Sequence, residues 1–345
     1  MFDSRRAPQW FILIFLILML LMSVRADIPV AGLLSDSLVR LFMNGVLVLS
    51  LLPMLRAGVG VNYGLPVGIL PGLLALCITI NYDLQGAVGF LIALLLAALL
   101  GVAFGYPYAL ILNRVKGREE IAGLFIGFSS VYAICFFWAV APFSNPIMLW
   151  PIGGYGLRPN IGLSEHFSRI LNVWGAWHLG GLTIPLGGLA SFLILCLLLS
   201  MFFRTRIGLA ITATGENPLF AHLSGIDINH TRAVAVMLST ALAAVGICFY
   251  AQSYGFVELY EAPLMMAIPA ASAILLGGRS GFATAVSQAV IGTFLFQSVY
   301  VISGPLANSL LVPELSEIIR VIISSGVILY ALIFTREGGG TNEKA

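Results

Sequence analysis

Windows of roughly twenty residues with almost no charge recur along this chain, and no other feature of the sequence constrains its fold as strongly. A bilayer core is crossed by about 20 apolar residues in one helix, because each backbone N–H and C=O must find its partner inside the segment where water is absent. Such windows fall at 8–24, 38–55, 62–82, 86–112, 121–141, 183–203, 233–253, 263–278, 282–302 and 317–334. They predict an all-α polytopic membrane protein with about ten transmembrane helices in a single domain over 1–345, embedded in the lipid bilayer. Only 9% of the 345 residues are charged, against about 25% in soluble domains, which excludes a soluble fold. The net charge of +2 is spread between spans and points to no nucleic acid. Arg5 and Arg6 before the first window imitate a secretory signal, but no convincing cleavage site follows, so the window reads as a retained span. Cys77, Cys135, Cys196 and Cys248 sit in apolar runs and read as small buried hydrophobes.

Lys and Arg collect on the cytoplasmic side of membrane proteins. With the N-terminus inside, the inner face holds Arg5, Arg6, Arg56, Arg114, Lys116, Arg118, Arg204, Arg206, Arg232, Arg279, Arg336 and Lys344. The outer side holds Arg25, Arg40, Arg158, Arg169 and Arg320. The bias predicts both termini cytoplasmic, an outer loop at 142–182 and a long cytoplasmic loop at 204–232. Removing one span would put the densest basic loops on opposite faces.

Glycine and proline interrupt the third and eighth windows, GVGVNYGLPVGILPGLL (58–74) and APLMMAIPAASAILLGGRSG (262–281). Each is second in a group of four, spans 2–5 and 7–10, and the two run in opposite directions, which predicts inverted repeats. Broken spans at matching places of inverted halves point to a translocation site; close helix packing through glycine is the other reading. The polar span residues Asn62, Tyr63, Gln252, Ser272, Gln288 and Gln297, with Pro66, Gly68 and Pro269 at the breaks, are the candidate pathway residues. They suit a neutral, hydroxyl-rich solute, or they are hydrogen bonds between helices.

Chemistry that the chain lacks narrows its class. It has no phosphate-binding loop pattern and only two lysines, so it hydrolyses no ATP by that route. No Asp or Glu falls in the middle of a confident window, which argues against proton coupling. Gly278-Arg279-Ser280-Gly281 imitates an intramembrane protease motif, but all four histidines lie in loops and none can serve Ser280 as a base. No catalytic residue, metal site or bound cofactor is expected.

Two loops carry local helix signals. SEHFSRILNVWG (164–175) predicts a helix capped by Ser164, with Phe167, Ile170, Leu171 and Trp174 on one stripe, lying in the membrane interface or covering a pore mouth. In TGENPLFAHLSGIDINHTR (214–232), Asn217 is a good N-cap, Pro218 suits the first helical position and Gly225 stops the helix. The result is a helix over 218–224, too short to stand alone in water. Its apolar residues Leu219, Phe220 and Leu223 ask either for a partner with a matching groove or for the membrane surface.

GENPLFAHLSGIDI (215–228) is similar to the cytoplasmic coupling motif of the sugar-type permeases of bacterial ABC importers. That family includes ribose, galactose, autoinducer-2 and nucleoside permeases and, more distantly, branched-chain amino acid ones. VNYGLPVGILPGLLAL (61–76) and MAIPAASAILLGGRSGFATAVSQAVIGTFLFQ (266–297) resemble the family's two glycine-rich regions. The resemblance implies a permease subunit of the bacterial inner membrane that is not itself an enzyme. Gly215, Glu216, Asn217, Pro218, Leu219, Phe220, Ala221, Leu223, Ser224 and Gly225 would form a helix seated on a cytosolic ATP-binding subunit. It also implies a second permease subunit, a binding protein that delivers the solute, and ATP bound by the partner alone. Tyr63 stands where the family has an acidic residue, and REEIAGLFIG (118–127) replaces its usual proline-containing run. These departures point to a divergent member or to one half of a heterodimer.

Overall fold

The computed structural model describes residues 7–150, 154, 156–277 and 284–310, with 318, 321, 322, 325, 326 and 329. The window 317–334, apart from those scattered positions, and the Gly278–Gly281 turn lie outside the described residues.

The first half of the chain is helical: α1 Ala7–Arg25, α2 Val30–Leu49, α3 Leu52–Arg56, α4 Leu65–Asn81, α5 Gly86–Arg114 and α6 Glu119–Val140. A mixed segment follows, with β1 Asn160–Gly162, α7 Ile170–Val173, β2 Ala176–Leu179 and β3 Leu182–Pro185. Then come α8 Leu186–Phe202, α9 Arg206–Glu216, α10 Pro218–Leu223, α11 Ile228–Tyr254, β4 Phe256–Glu258, α12 Ala262–Met265, α13 Ala267–Leu276 and α14 Val286–Leu310. Five stretches among the described residues have the length and hydropathy to cross a membrane: Val30–Arg56, α5, α6, α11 and 286–309. The bent pair α8–α9 makes six if taken as one span, and α1, α4 and 262–276 are shorter apolar helices. A helix thus overlies each of the first nine windows, while ten full crossings are not reached by length alone.

Contacts between helix ends sort them into two sets. At one end Gln9 bonds the Gly277 carbonyl, Arg56 Nε donates to the Thr284 carbonyl at 3.0 Å and Asn113 donates to the Asn229 carbonyl at 2.9 Å. Arg232 pairs with Glu119 at this end too. At the other end His166 meets Asp83 at 3.2 Å, the Gly86 N–H donates to the His166 carbonyl at 2.9 Å, and the Thr183 N–H donates to Ser35 Oγ at 2.8 Å. The first set takes in Arg56 and Arg232.

Helix α11 is the axis of the bundle. It packs most extensively on α5, then on α4 and α2, while α14 packs on α2 and α13. Two glycine pairs at helical spacing, Gly101 with Gly105 on α5 and Gly68 with Gly72 on α4, allow the approach. A Cβ on Gly101 of α5 would lie 2.6 Å from the Ala241 Cα of α11, and one on Gly68 of α4 would lie 2.6 Å from the Ala243 Cβ. The outward-facing sides of α5 and α6 expose Leu95, Leu99, Phe125 and Phe136, as surfaces that meet lipid do.

Four features differ from the sequence reading. The break in the third window falls ahead of its helix: α4 begins at Leu65, and residues 57–64 are a non-helical connection with Gly58 and Gly60 at positive φ. The outer helix over 164–175 shrinks to Ile170–Val173, because Arg169 is left-handed at φ 53° and blocks continuation. Its stripe is split accordingly, with Phe167 and Leu171 buried and Trp174 68% exposed. Residues 182–185 form β3 and not the start of the sixth span; β2 and β3 make a hairpin turned at Gly180-Gly181, both at positive φ, as a tight two-residue turn requires. The second helix starts at Val30, so Asp36, which sequence placed outside the span, lies on α2 one turn from Arg40.

Candidate functional site

At the end of the bundle that carries Arg56, α8 turns by 74° into α9. Thr205 caps α9, its side chain accepting from the Gly208 N–H at 3.3 Å. The buried stripe of α9 is Gly208, Ile211, Thr214 and Gly215, spaced to face one side. Gly215 is there because space is short: a Cβ would lie 2.9 Å from the Gly58 N and closer still to the Arg56 carbonyl. Glu216 closes α9, exposed and within electrostatic reach of Arg56.

Asn217 then breaks the chain direction with φ −150° and ψ 93°. Its Oδ1 accepts the Phe220 N–H at 2.9 Å, satisfying an otherwise orphan donor of α10. Pro218 occupies the first turn, where a missing N–H costs nothing. The helix runs over Pro218–Leu223, six residues and about 9 Å. It is one residue shorter than the 218–224 of the sequence reading, because Ser224 already leaves helical geometry as the C-cap. Gly225 follows at φ 81°, donating to the His222 carbonyl at 3.0 Å, and the Ile226 N–H reaches the Ala221 carbonyl at 3.0 Å. This is the Schellman arrangement, which uses up the last carbonyls.

One side of α10 is fixed to the protein and the other is bare. Ala221 is fully buried, while Leu219, Phe220 and Leu223 are 69, 61 and 78% exposed. Ile207 and Leu209 of α9 add to the exposed apolar surface at 53 and 59%. Helix α9 is what sequence reading missed, since its inward stripe contains glycine and threonine in place of large side chains. The signal present was Thr205 as a cap before Gly208 and Ile211.

The candidate pathway residues are held in contacts within the chain, and none of them lines the two cavities described below. Asn62 is buried, donating to Ser239 Oγ at 3.2 Å and accepting from Tyr108 Oη at 2.9 Å, which ties residues 57–64 to α11 and α5. Tyr63 is half-buried beside Glu120, whose Oε1 accepts the Val61 N–H at 2.9 Å. Pro66 starts α4 and Gly68 packs on α11. Gln252 is fully buried; its Nε2 donates to Ser253 Oγ at 2.6 Å and its Oε1 accepts the Leu171 N–H at 3.2 Å, so it anchors α7. Ser272 donates to the Ile268 carbonyl of its own helix at 2.7 Å, with Pro269 half-buried beside it. Gln288 accepts the Ala285 N–H at 2.9 Å and caps α14. Gln297 is buried in α14.

The polar space lies elsewhere. A cavity of about 610 Å³ opens among α2, α7, α11 and α14, lined by Asp36, Arg40, Asn172, Ser253, Tyr254 and Tyr300, among others. The Arg40 guanidinium lies 5.2 Å from the centre of the Tyr300 ring. Sequence reading passed over this cavity because it placed Asp36 outside the second span. Among the described residues no group of three or more His, Cys, Asp or Glu side chains could hold a metal ion.

A many-helix membrane bundle with an exposed apolar helix at one end and a polar cavity toward the other has the organisation of a transporter subunit. The chain belongs to the family described as branched-chain amino acid transport system / permease component, whose sequence model matches residues 33–332. A 118-residue stretch is 27% identical to the probable branched-chain amino acid transport permease protein LivH of Methanocaldococcus jannaschii, covering 31% of this chain and 36% of the relative. A 129-residue stretch is 27% identical to the nucleoside ABC transporter permease protein NupC of Lactococcus lactis subsp. cremoris, covering 37% of this chain and 40% of the relative. The matches therefore span well under half of either relative's length. The family membership bears out the resemblance drawn from the coupling motif and the two glycine-rich regions.

Proposed function

We propose that this chain is the membrane-embedded permease subunit of a binding-protein-dependent ABC importer, passing a simple sugar or nucleoside-like solute with energy supplied by a separate ATPase. The observation that carries this reading is α10: a helix capped at both ends, seated through Ala221, and presenting Leu219, Phe220 and Leu223 bare on the end of the bundle that holds Arg56 and Arg232. An exposed apolar face of this kind marks a contact surface, and a partner's groove is the occupant this reading gives it. Closure of the ATPases would push α10 and, through Gly215 against the Arg56 carbonyl, move α3 and the buried connection to α4. The chain itself performs no hydrolysis and binds no cofactor in this reading; the ATP sits on the partner, and both termini face the cytoplasm.

The inverted-repeat arrangement of ten spans belongs to the same proposal. Exchanging α2 with α11, α4 with α13 and α5 with α14 turns each major packing contact into another that exists: α5–α11 into α14–α2, α4–α5 into α13–α14, and α4–α11 into α13–α2. That self-consistency supports two halves related by a two-fold axis. A second permease subunit would complete the pathway, and a binding protein would load the outer end, where the 610 Å³ cavity gives solute a polar approach. A branched-chain amino acid is the second reading for the solute, favoured by the family's description and the archaeal relative's name.

The test is Phe220→Asp or Glu216→Lys in the assembled complex. Loss of uptake together with loss of solute-stimulated ATPase activity is expected, with the permease still folded. Unchanged uptake and stimulation by both variants would remove α10 from the coupling role. Calorimetry of the binding protein against sugars, nucleosides and branched-chain amino acids would decide the solute.

A further inference from the structure

A second cavity, of about 720 Å³, lies between α8 and α14 and has a polar end and an apolar end. Its polar end is built by Arg56, Arg204, Ser200 and Ser287. Arg56 is held in place: its guanidinium lies 4.0 Å from the centre of the Phe203 ring, and its Nε donates to the Thr284 carbonyl at 3.0 Å. Among the described residues no hydrogen bond takes up its other two guanidinium nitrogens. The first turn of α14, from Val286, borders the same end, and a helix N-terminus adds positive potential there. Among the described residues the lining includes no Asp or Glu; the nearest opposing charge, Glu216, acts on Arg56 from α9.

Away from the arginines the cavity becomes an apolar trough. Leu193 and Leu197 of α8 are 56 and 63% exposed, and Ile291 of α14 is 47% exposed. Helix α8 runs toward the Arg56 end and α14 runs away from it, so these residues lie deeper along the helices than Arg204 and Ser287. The trough thus continues from a basic end, cytoplasmic in the orientation proposed above, along the two helices.

We propose that this groove binds one anionic phospholipid of the inner leaflet, its phosphate on Arg56 and Arg204 and an acyl chain along Leu193, Leu197 and Ile291. Charge complementarity selects the occupant, since basic pockets between spans on the cytoplasmic side suit anionic headgroups. A zwitterionic lipid would bring its own cation against two arginines. Because Arg56 also carries the backbone carbonyl on which Gly215 rests, the bound headgroup stiffens the seat of α9 and α10.

The test uses the full chain in detergent, with native mass spectrometry reading retained lipid. The probes are phosphatidylglycerol, phosphatidylcholine of equal acyl length, and free glycerol phosphate. One phosphatidylglycerol retained in preference to phosphatidylcholine is expected, with free glycerol phosphate binding far more weakly. Arg204→Gln, at an exposed position that the fold tolerates, should weaken retention about fivefold. Leu197→Trp should block the trough while leaving both arginines in place. Equal retention of the two lipids, or retention unchanged by both variants, overturns the proposal. Equal binding of free glycerol phosphate would reduce the site to an anion site and overturn the acyl trough. Loss of the lipid site on dimerisation would assign the groove to a second copy of the chain and equally refute it.

Discussion

Asn217 does two things that no neighbour can replace. Its extended backbone redirects the chain from α9 to α10, and its side chain caps the first turn of α10. Asn217→Ala removes a cap whose loss typically costs about 1 kcal/mol. In a helix of six residues held by little besides Ala221, that loss should fray the element locally and leave the bundle intact. Hydrogen exchange is expected to show faster exchange of the amides from Phe220 to Gly225, with the amides of α11 unchanged. Residues of this kind were legible in sequence, because capping by Asn217, Pro218 and Gly225 obeys rules that span three or four positions. Asn62 was not, because its partners Tyr108 and Ser239 lie 46 and 177 residues away. A polar residue in an apolar window looks the same whether it faces a solute or ties two helices.

Among the elements, the connection between α6 and α11 depends on a buried charge pair. Arg232 bonds Glu119 with both side chains 10% exposed. Removing one partner of a buried pair costs about 3–5 kcal/mol, whereas replacing both with apolar residues is often neutral. Glu119→Gln should therefore lower the thermal midpoint in detergent markedly, and Glu119→Leu with Arg232→Leu should restore most of it. A double variant as unstable as the single one would show that shape at this joint matters more than charge. The outer ribbon gives a pH-dependent counterpart. Glu258 of β4, paired opposite Asn160 of β1, has its carboxyl held above the usual range by burial first and by Glu261 second. A folded-state pKa raised above the unfolded one means that the fold binds the proton more tightly. The stability this contributes is present below the unfolded value and is lost as pH rises through the folded value. Exchange protection of the β1–β4 amides should thus fall as pH rises above the ordinary carboxylate range, and Glu258→Gln should flatten that dependence. Helices with large apolar windows were readable from sequence; α9 and the β2–β3 hairpin were not. The buried stripe of α9 rests on Gly208 and Gly215, which fit by being small, and a hairpin four residues deep leaves almost no periodic trace.

For the whole molecule, what sequence supplied was the class; what it withheld was which polar residues share a space. The chain's helix ends separate into two sets, one of which holds Arg56 and Arg232. Gly68, Gln252, Ser272 and Gln288 are engaged in packing and capping, while Asp36 and Arg40 line the 610 Å³ cavity. The central claim is that transport needs force delivered from outside through α10. Uptake into proteoliposomes, measured with the permease alone and with its ATPase and binding protein added, tests this most directly. The account predicts no solute uptake by the permease alone, and uptake only with both partners and ATP. Equal uptake by the permease alone, down or against a gradient, would contradict it and make the chain a self-sufficient carrier.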